Sequence, residues 1–347
     1  MEKIEINKYM VFVECMTFNH VNFIEDAING FCMQQTDFPF VCAIIDDAST
    51  DGEPIVIRKY FEDHFDLQDK SVAKFKETDD YVLTYARHKT NKNCFFLVFY
   101  LKYNHYGKKD KEPYYAEWLN NSKYIAICEG DDYWIDQNKL KKQVDILESN
   151  ERYGCVYSNY YIQKGQDKEP AIISGKTNFV ELLFKCEIAT LTTCFRRSLY
   201  LNYLNEIQPA EKKWLLGDLP MWLYYSMESE IVFLNHFTST YRFLVESASH
   251  SQSLDRRIAF RTSVFDVRSF FLKLFKDRIP EYRKLKIRVN TNHIIEISNL
   301  YIIDKKYRLA IAYYFKSFFS LSIVSHAHIF FYYFRQLLRK LKFNRYL

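Results

Sequence analysis

The chain has 347 residues, with 48 Lys plus Arg against 43 Asp plus Glu and a formal net charge of +5. That length fits about two domains, and 48% apolar with 26% charged residues is the composition of an ordinary globular protein. Aromatic residues reach 18%, with 28 Tyr and 30 Phe against 8 Gly and 7 Pro, which excludes a collagenous, linker-rich or broadly disordered chain.

Met10 to Met16 reads as a buried strand, followed by the turn Thr17-Phe18-Asn19-His20 and a helical pattern from Val21 to Gln34. Phe40 to Asp46 is a second apolar strand, ending in Asp46-Asp47-Ala48-Ser49-Thr50-Asp51-Gly52. A helix from Pro54 to Phe65 follows, with Pro in its first turn. Strand, helix, strand, helix at this spacing predicts a parallel α/β sheet. Cys94 to Tyr100 and Tyr124 to Cys128 are further strands, and the polar, Lys-rich stretch between them, Tyr103 to Pro113, reads as a loop. Ile135 to Ser149 is helical. Cys155-Val156-Tyr157 and Ile231-Val232-Phe233-Leu234 are strand-like, and from Asp255 the pattern is mostly helical.

The eight cysteines are Cys15, Cys32, Cys42, Cys94, Cys128, Cys155, Cys186 and Cys194. None forms a CxxC pair and several lie in apolar runs. This fits reduced thiols in a cytoplasmic protein, not a zinc ribbon or a disulfide framework. The charged start, Met1 to Lys8, is followed by no secretory apolar region.

Two constellations carry chemistry. In open parallel sheets, ligands bind outside the carboxyl ends of the strands, and two strands here end in clustered carboxylates. At Asp46-Asp47, neighbouring side chains point to opposite faces. One carboxylate can then accept a hydrogen bond from a nucleobase N–H, or Asp47 can cap the next helix through Ser49 or Thr50. At Glu129-Gly130-Asp131-Asp132, three acids within four residues repel one another and raise one another's pKa. A divalent cation, Mn²⁺ or Mg²⁺, removes that cost, since it takes one or two carboxylates plus substrate phosphates. Gly130 would let the backbone approach the ligand.

These residues resemble family 2 glycosyltransferases of the nucleotide-diphosphosugar transferase superfamily. Met16 to His20 is similar to that family's opening "P-T-Y-N" turn. Gln34 to Phe40 is similar to its "NQT…F" step, and Asp46 to Gly52 to "DDGSTDGT". Glu129 to Asp132 stands where its "DxDD" motif stands, followed by Tyr133-Trp134 and Lys139-Leu140. The match is specific over residues 9–150 and weaker to about residue 250. In detail it is most like bacterial enzymes of capsule, exopolysaccharide or O-antigen synthesis.

The resemblance implies a GT-A (Rossmann-like) α/β fold: a mixed, mostly parallel sheet flanked by helices, with a mainly helical C-terminal extension. Residues 1–255 would be the catalytic domain, with a nucleotide-sugar half to about 132 and an acceptor half over 133–255. Residues 256–347 would form a basic, aromatic helical region. The implied activity is metal-dependent, inverting transfer of a sugar, hexosyltransferase-like, from a nucleoside-diphosphate sugar to a hydroxyl of a glycan or lipid-linked saccharide. A UDP-sugar is the favoured donor. Thr17, Asn19 and Asp47 would hold the nucleoside, Asp131 the ribose and cation, and Asp132 the cation directly. Asp218, in Gly217-Asp218-Leu219-Pro220, would be the catalytic base. That step also reads as a helix start. Lys108 and Arg242 are candidate diphosphate contacts. The family's "YR-x-H" histidine is replaced by Leu244, although His250 follows.

Residues 266–347 hold 17 basic and 5 acidic side chains, a net +12, so residues 1–265 carry −7. Between Lys316 and Arg335 lie 18 uncharged residues, which include several Ser and His and make a poor membrane span. Phe330 to Phe334 beside Arg335, Arg339, Lys340, Lys342 and Arg345 fits either an interfacial helix on anionic lipid or a helix packed on the body. The expected location is the cytoplasm, with peripheral contact to the inner membrane face under the first reading. No nucleic-acid motif accompanies the basic region. Two rival readings are a non-catalytic sugar- or partner-binding protein on the same fold, and a sugar nucleotidyltransferase. The Gly-free Thr17 turn argues against the second.

Overall fold

The computed structural model describes residues 8–244 and 253–317. The first elements are β1 (Tyr9–Thr17), α1 (Ile24–Cys32), β2 (Phe40–Asp46), α2 (Glu53–His64), β3 (Lys74–Glu77), β4 (Tyr81–Arg87) and β5 (Cys94–Leu101). Then come α3 (Glu112–Asn120), β6 (Ser122–Ile127), β7 (Tyr133–Trp134), α4 (Lys139–Ser149), β8 (Tyr153–Lys164), β9 (Asp167–Pro170) and α5 (Phe179–Leu182). They are followed by β10 (Cys194–Arg196), α6 (Arg197–Ile207), α7 (Pro209–Lys212), α8 (Asp218–Glu228) and β11 (Glu230–Arg242). Last are α9 (Leu254–Leu274), α10 (Tyr282–Ile303) and α11 (Tyr307–Ser317).

Among the described residues, eleven strands form one mixed sheet in the order β3-β4-β5-β2-β1-β6-β10-β8-β11-β7, with β9 on β8. The central strands β5, β2, β1 and β6 run parallel. Thr17 pairs with Asp46, and Asp46 with Tyr100, so these strand ends are level. Long apolar runs form these strands because both of their faces are covered. On one face Val11, Val13, Cys15, Phe40, Cys42, Ile44, Phe96 and Val98 pack against Ile28 and Phe31 of α1, Ile57 and Phe61 of α2, and Leu140 and Val144 of α4. On the other, Phe12 stacks on Tyr115 of α3 with ring centroids 5.4 Å apart.

The described residues divide into two compact units. One holds the chain up to Asn178 with Glu187–Ile207 and Tyr225–Phe243. The other holds Phe179–Cys186, Gln208–Tyr224 and the described residues from Leu244 onward. In that second unit α9 and α10 carry the core: Trp214 packs on Phe270 at 5.4 Å, and Arg268 pairs with Glu296 at 3.4 Å. Among the described residues no helix is long and apolar enough to cross a membrane. The Phe330–Phe334 cluster, the basic residues after it and His250 lie outside the described residues.

Candidate functional site

Three loops leave the carboxyl ends of β1, β2 and β6 side by side. Asp47 N–H donates to the Thr17 carbonyl at 3.0 Å, and Gly130 N–H to the Met16 carbonyl at 2.9 Å. The end of β1 therefore lies between the two acidic turns.

The β1 and β2 loops are clamped by a buried carboxylate absent from the sequence reading, Glu53, at the first turn of α2. It accepts from the Thr17 hydroxyl, from His20 N–H at 2.8 Å and from the Ser49 hydroxyl at 2.9 Å. Asn19, with φ 57°, accepts from Thr50 N–H at 2.8 Å, and its own N–H donates to Ser49 Oγ at 2.8 Å. Thr17 is thus buried as a structural clasp, while Asn19 stays exposed. The start of α2 is tied by Asp51, whose Oδ1 accepts from Glu53 N–H at 3.0 Å. The N-cap itself is Gly52, with Asp51 just before it, and Asp47 takes no part in the cap.

Asp47 is 4% exposed and already partnered. Its Oδ1 accepts from His105 N–H at 2.7 Å, and its Oδ2 pairs with Lys111 Nζ at 2.8 Å. The Lys-rich loop thus folds onto the β2 end. His105 is buried, and one ring nitrogen, Nδ1, lies 2.7 Å from the Tyr103 carbonyl, which can only accept. Nδ1 therefore carries a proton, and Nε2 lies 3.0 Å from the Tyr114 hydroxyl. Lys108 stands in the exposed turn beyond, its N–H donating to the His105 carbonyl. The lysine that the fold brings to the site is Lys111.

At the end of β6, Asp131 is half-buried and Asp132 is 3% exposed. Burial, together with Asp131 and Glu129 beside it, pushes the Asp132 carboxyl well above the ordinary range. Asp132 Oδ1 accepts from Arg242 N–H at 2.7 Å. Gly130 is required for packing: a Cβ there would lie 2.6 Å from Thr17 Cβ. The close approach is therefore to Thr17 within the protein. Arg242 is also engaged internally, with the Asp131 carbonyl at 2.8 Å and with Asp26.

Among the described residues no group of three or more His, Cys, Asp or Glu is gathered as a metal cage. The donor set still fits a hard cation. Two carboxylates on one turn, one of them buried against its acidic neighbours, suit Mn²⁺ or Mg²⁺ completed by phosphate oxygens.

Asp218 belongs to the second unit and opens α8, as its Gly-Asp-Leu-Pro context predicts. Its Oδ1 lies 2.7 Å from the Leu219 N–H, which it accepts, and loss of solvation raises its carboxyl pKa. The same residue is therefore a helix start and a carboxylate made more basic than usual.

No family model matches the chain. Curated relatives are Uncharacterized protein Mb1547 of Mycobacterium bovis and Uncharacterized protein Rv1520 of Mycobacterium tuberculosis. Each is 27% identical over 248 residues, which are 70% of this chain and 61% of the relative. The chain thus spans under two thirds of their length. Among solved structures, the mannosyltransferase PcManGT from Pyrobaculum calidifontis, in complex with GDP-Man and Mn²⁺, superposes with a TM-score of 0.50 at 12% identity. The match covers 95% of this chain and 81% of that one. S. aureus TarS 1-349, in complex with UDP-GlcNAc, gives a TM-score of 0.47 at 13% identity, covering 84% and 82%. The chain shares the GT-A-type α/β fold of PcManGT, with a mixed sheet whose central strands are parallel, flanking helices and C-terminal helices.

Proposed function

We propose that the chain is a cation-assisted glycosyltransferase that takes its sugar from a nucleoside-diphosphate donor. One observation carries this reading. Thr17, Asp47 and the Asp131–Asp132 turn meet beyond the carboxyl ends of β1, β2 and β6, on a fold of this class. Residues 1–132 would supply the nucleotide side and 133–255 the acceptor side.

In this reading Asp47, held by Lys111 and His105, accepts a base N–H. Asp131 takes the ribose. Asp132 and Asp131 hold Mn²⁺ or Mg²⁺, which when bound would neutralise the departing diphosphate. Asp218 takes the proton of the acceptor hydroxyl as its oxygen bonds to the anomeric carbon and the bond to the diphosphate oxygen breaks. A single displacement of this kind inverts the anomeric centre. The raised Asp218 pKa supports a base role, since a general base works best with a pKa near the working pH. The acceptor is read as a glycan or a lipid-linked saccharide of cell-surface polysaccharide, made in the cytoplasm, with the basic C-terminal region at the inner membrane face.

The test is donor hydrolysis and transfer with UDP-, GDP- and dTDP-sugars, with and without Mn²⁺. Turnover that needs the cation and disappears in Asp132→Asn supports the reading. Binding of a nucleotide sugar without any turnover, on every acceptor class tried, favours the non-catalytic alternative.

A further inference from the structure

Arg242 ends β11 and lies 110 residues from Asp132 in sequence, yet it contacts both aspartates of the acidic turn. Its backbone N–H donates to Asp132 Oδ1 at 2.7 Å, and its guanidinium Nη1 donates to the Asp131 carbonyl at 2.8 Å. Its Nη2 pairs with Asp26 of α1. The Tyr133 and Phe23 rings lie 4.4 and 5.0 Å from the guanidinium carbon. The arginine side chain is 8% exposed.

A guanidinium keeps its charge and presents its donors in a fixed plane. Here the carbonyl and Asp26 fix two directions in that plane, and two aromatic rings pack close to it. The Asp131 carbonyl belongs to the peptide that joins the two acids. Holding it fixes ψ of Asp131 and φ of Asp132, and so the direction in which each side chain leaves the backbone. The strand carrying Arg242 is itself tied to the segment after the turn. Thr240 pairs with Tyr133, Ser239 with Trp134, and Ile135 N–H donates to the Thr238 carbonyl at 2.8 Å.

We propose that Arg242 is the positioning residue of the acidic turn: it sets where Asp131 and Asp132 present their carboxylates to a divalent cation, and Asp26 holds it in place. This rests on the reading of that turn as the cation site. It gives Arg242 a role distinct from a direct contact with the diphosphate.

The experiment titrates Mn²⁺ alone into the full chain and follows free Mn²⁺ by its paramagnetic resonance. Arg242→Ala, Arg242→Lys, Asp26→Asn and Asp132→Asn are compared with wild type, with thermal melting to report folding. Groups that orient metal ligands typically change affinity about 10–100-fold. Arg242→Ala is therefore expected to weaken Mn²⁺ by about tenfold or more. Arg242→Lys keeps a cation between the rings and one donor for the carbonyl, and so restores part of the affinity. Asp26→Asn lies between wild type and Arg242→Ala. A merely structural role would lower the melting temperature and leave the Mn²⁺ affinity of the folded protein unchanged. If Asp132→Asn weakens Mn²⁺ while the Arg242 and Asp26 variants bind as wild type, the proposal is overturned and the cation site stands. If Asp132→Asn binds as wild type, both fall. Should Arg242→Ala fail to fold, Arg242→Lys and Asp26→Asn decide between the same two results.

Discussion

Lys111 donates to Asp47 Oδ2 at 2.8 Å, across 64 residues of sequence, with both side chains largely buried. The carboxylate assigned to the nucleobase is thus held by the protein's own groups. An amide in place of the Asp47 carboxylate would lose one charge-assisted acceptor and leave Lys111 without its partner. Asp47→Asn is expected to weaken UDP binding by at least about tenfold, one hydrogen bond to a charged group being worth about 1.5–3 kcal/mol. Lys111→Ala is expected to lower unfolding stability by a similar amount. Calorimetric titration checks the first and urea unfolding the second.

Glu53 accepts from three groups in the two loops beside the site. Glu53→Gln replaces one accepting oxygen with a donor that faces other donors. The expected loss is about 1–3 kcal/mol of stability, read from urea unfolding. Thr17→Val removes one of the three donors at nearly constant volume and is expected to cost less.

How far these contacts were readable depends on their range. The alternation of strand and helix from Met10 to Phe65 is carried by apolar runs, and the observed β1, α1, β2 and α2 follow them. The hairpin β3–β4 was not read from the sequence; at β3, Lys74–Glu77 is exposed and Phe75 is its one apolar residue. β11 runs from Glu230 to Arg242 but was legible only over Ile231–Leu234, since its later half, from Asn235, is largely polar. α3 begins at Glu112, inside the stretch read as loop, because Lys and Glu there mask its first turn. The aspartates of the site were legible as motifs, and Arg242 as a diphosphate contact. The tie of Lys111 to Asp47, that of Arg242 to the acidic turn and the clamp made by Glu53 were not, because a hydrogen bond 36 to 110 residues away in sequence leaves no local pattern. Choosing Lys111 over Lys108 needed the turn at His105–Lys108, which decides which lysine returns to the sheet.

Gly130→Ala places a methyl group 2.6 Å from Thr17 Cβ and 3.2 Å from Ile24 Cδ1. Overpacking of this kind costs about 1–3 kcal/mol. Since Thr17 borders both acidic turns, the variant is expected to lose stability and Mn²⁺ affinity together. A combined thermal melt and Mn²⁺ titration checks this.

Glu14, on β1, is pushed up to about 7 by burial, with Glu129 and Glu112 adding to the effect. The folded state then favours the neutral acid. Below the ordinary Glu value of about 4.3 there is no penalty. As pH rises from there to about 7, folding stability falls, because the unfolded chain ionises first. Glu14→Gln is expected to gain stability over wild type at pH 8 and little at pH 4, as measured by urea unfolding at the two pH values.

Asp218 obeys the same sign, with a carboxyl raised by desolvation. Asp218→Asn keeps an oxygen for the Leu219 N–H and no longer has to ionise. It is expected to fold at least as stably as wild type at pH 7, yet lose about 10²-fold or more in transfer rate, the usual contribution of a general base. Rates measured beside melting temperatures separate the two effects.

The central claim is that the turn at the end of β6 and the loop at the end of β2 together bind a nucleoside-diphosphate sugar through a divalent cation. Its most direct measurement is the melting temperature of the full chain with UDP-, GDP- and dTDP-sugars, each with and without Mn²⁺. A ligand at 100 times its Kd stabilises by about 2.7 kcal/mol. The expected result is a clear upward shift for one donor base, seen only with Mn²⁺ and lost in Asp132→Asn. No shift with any donor in the presence of Mn²⁺, or an equal shift in Asp132→Asn, would contradict it.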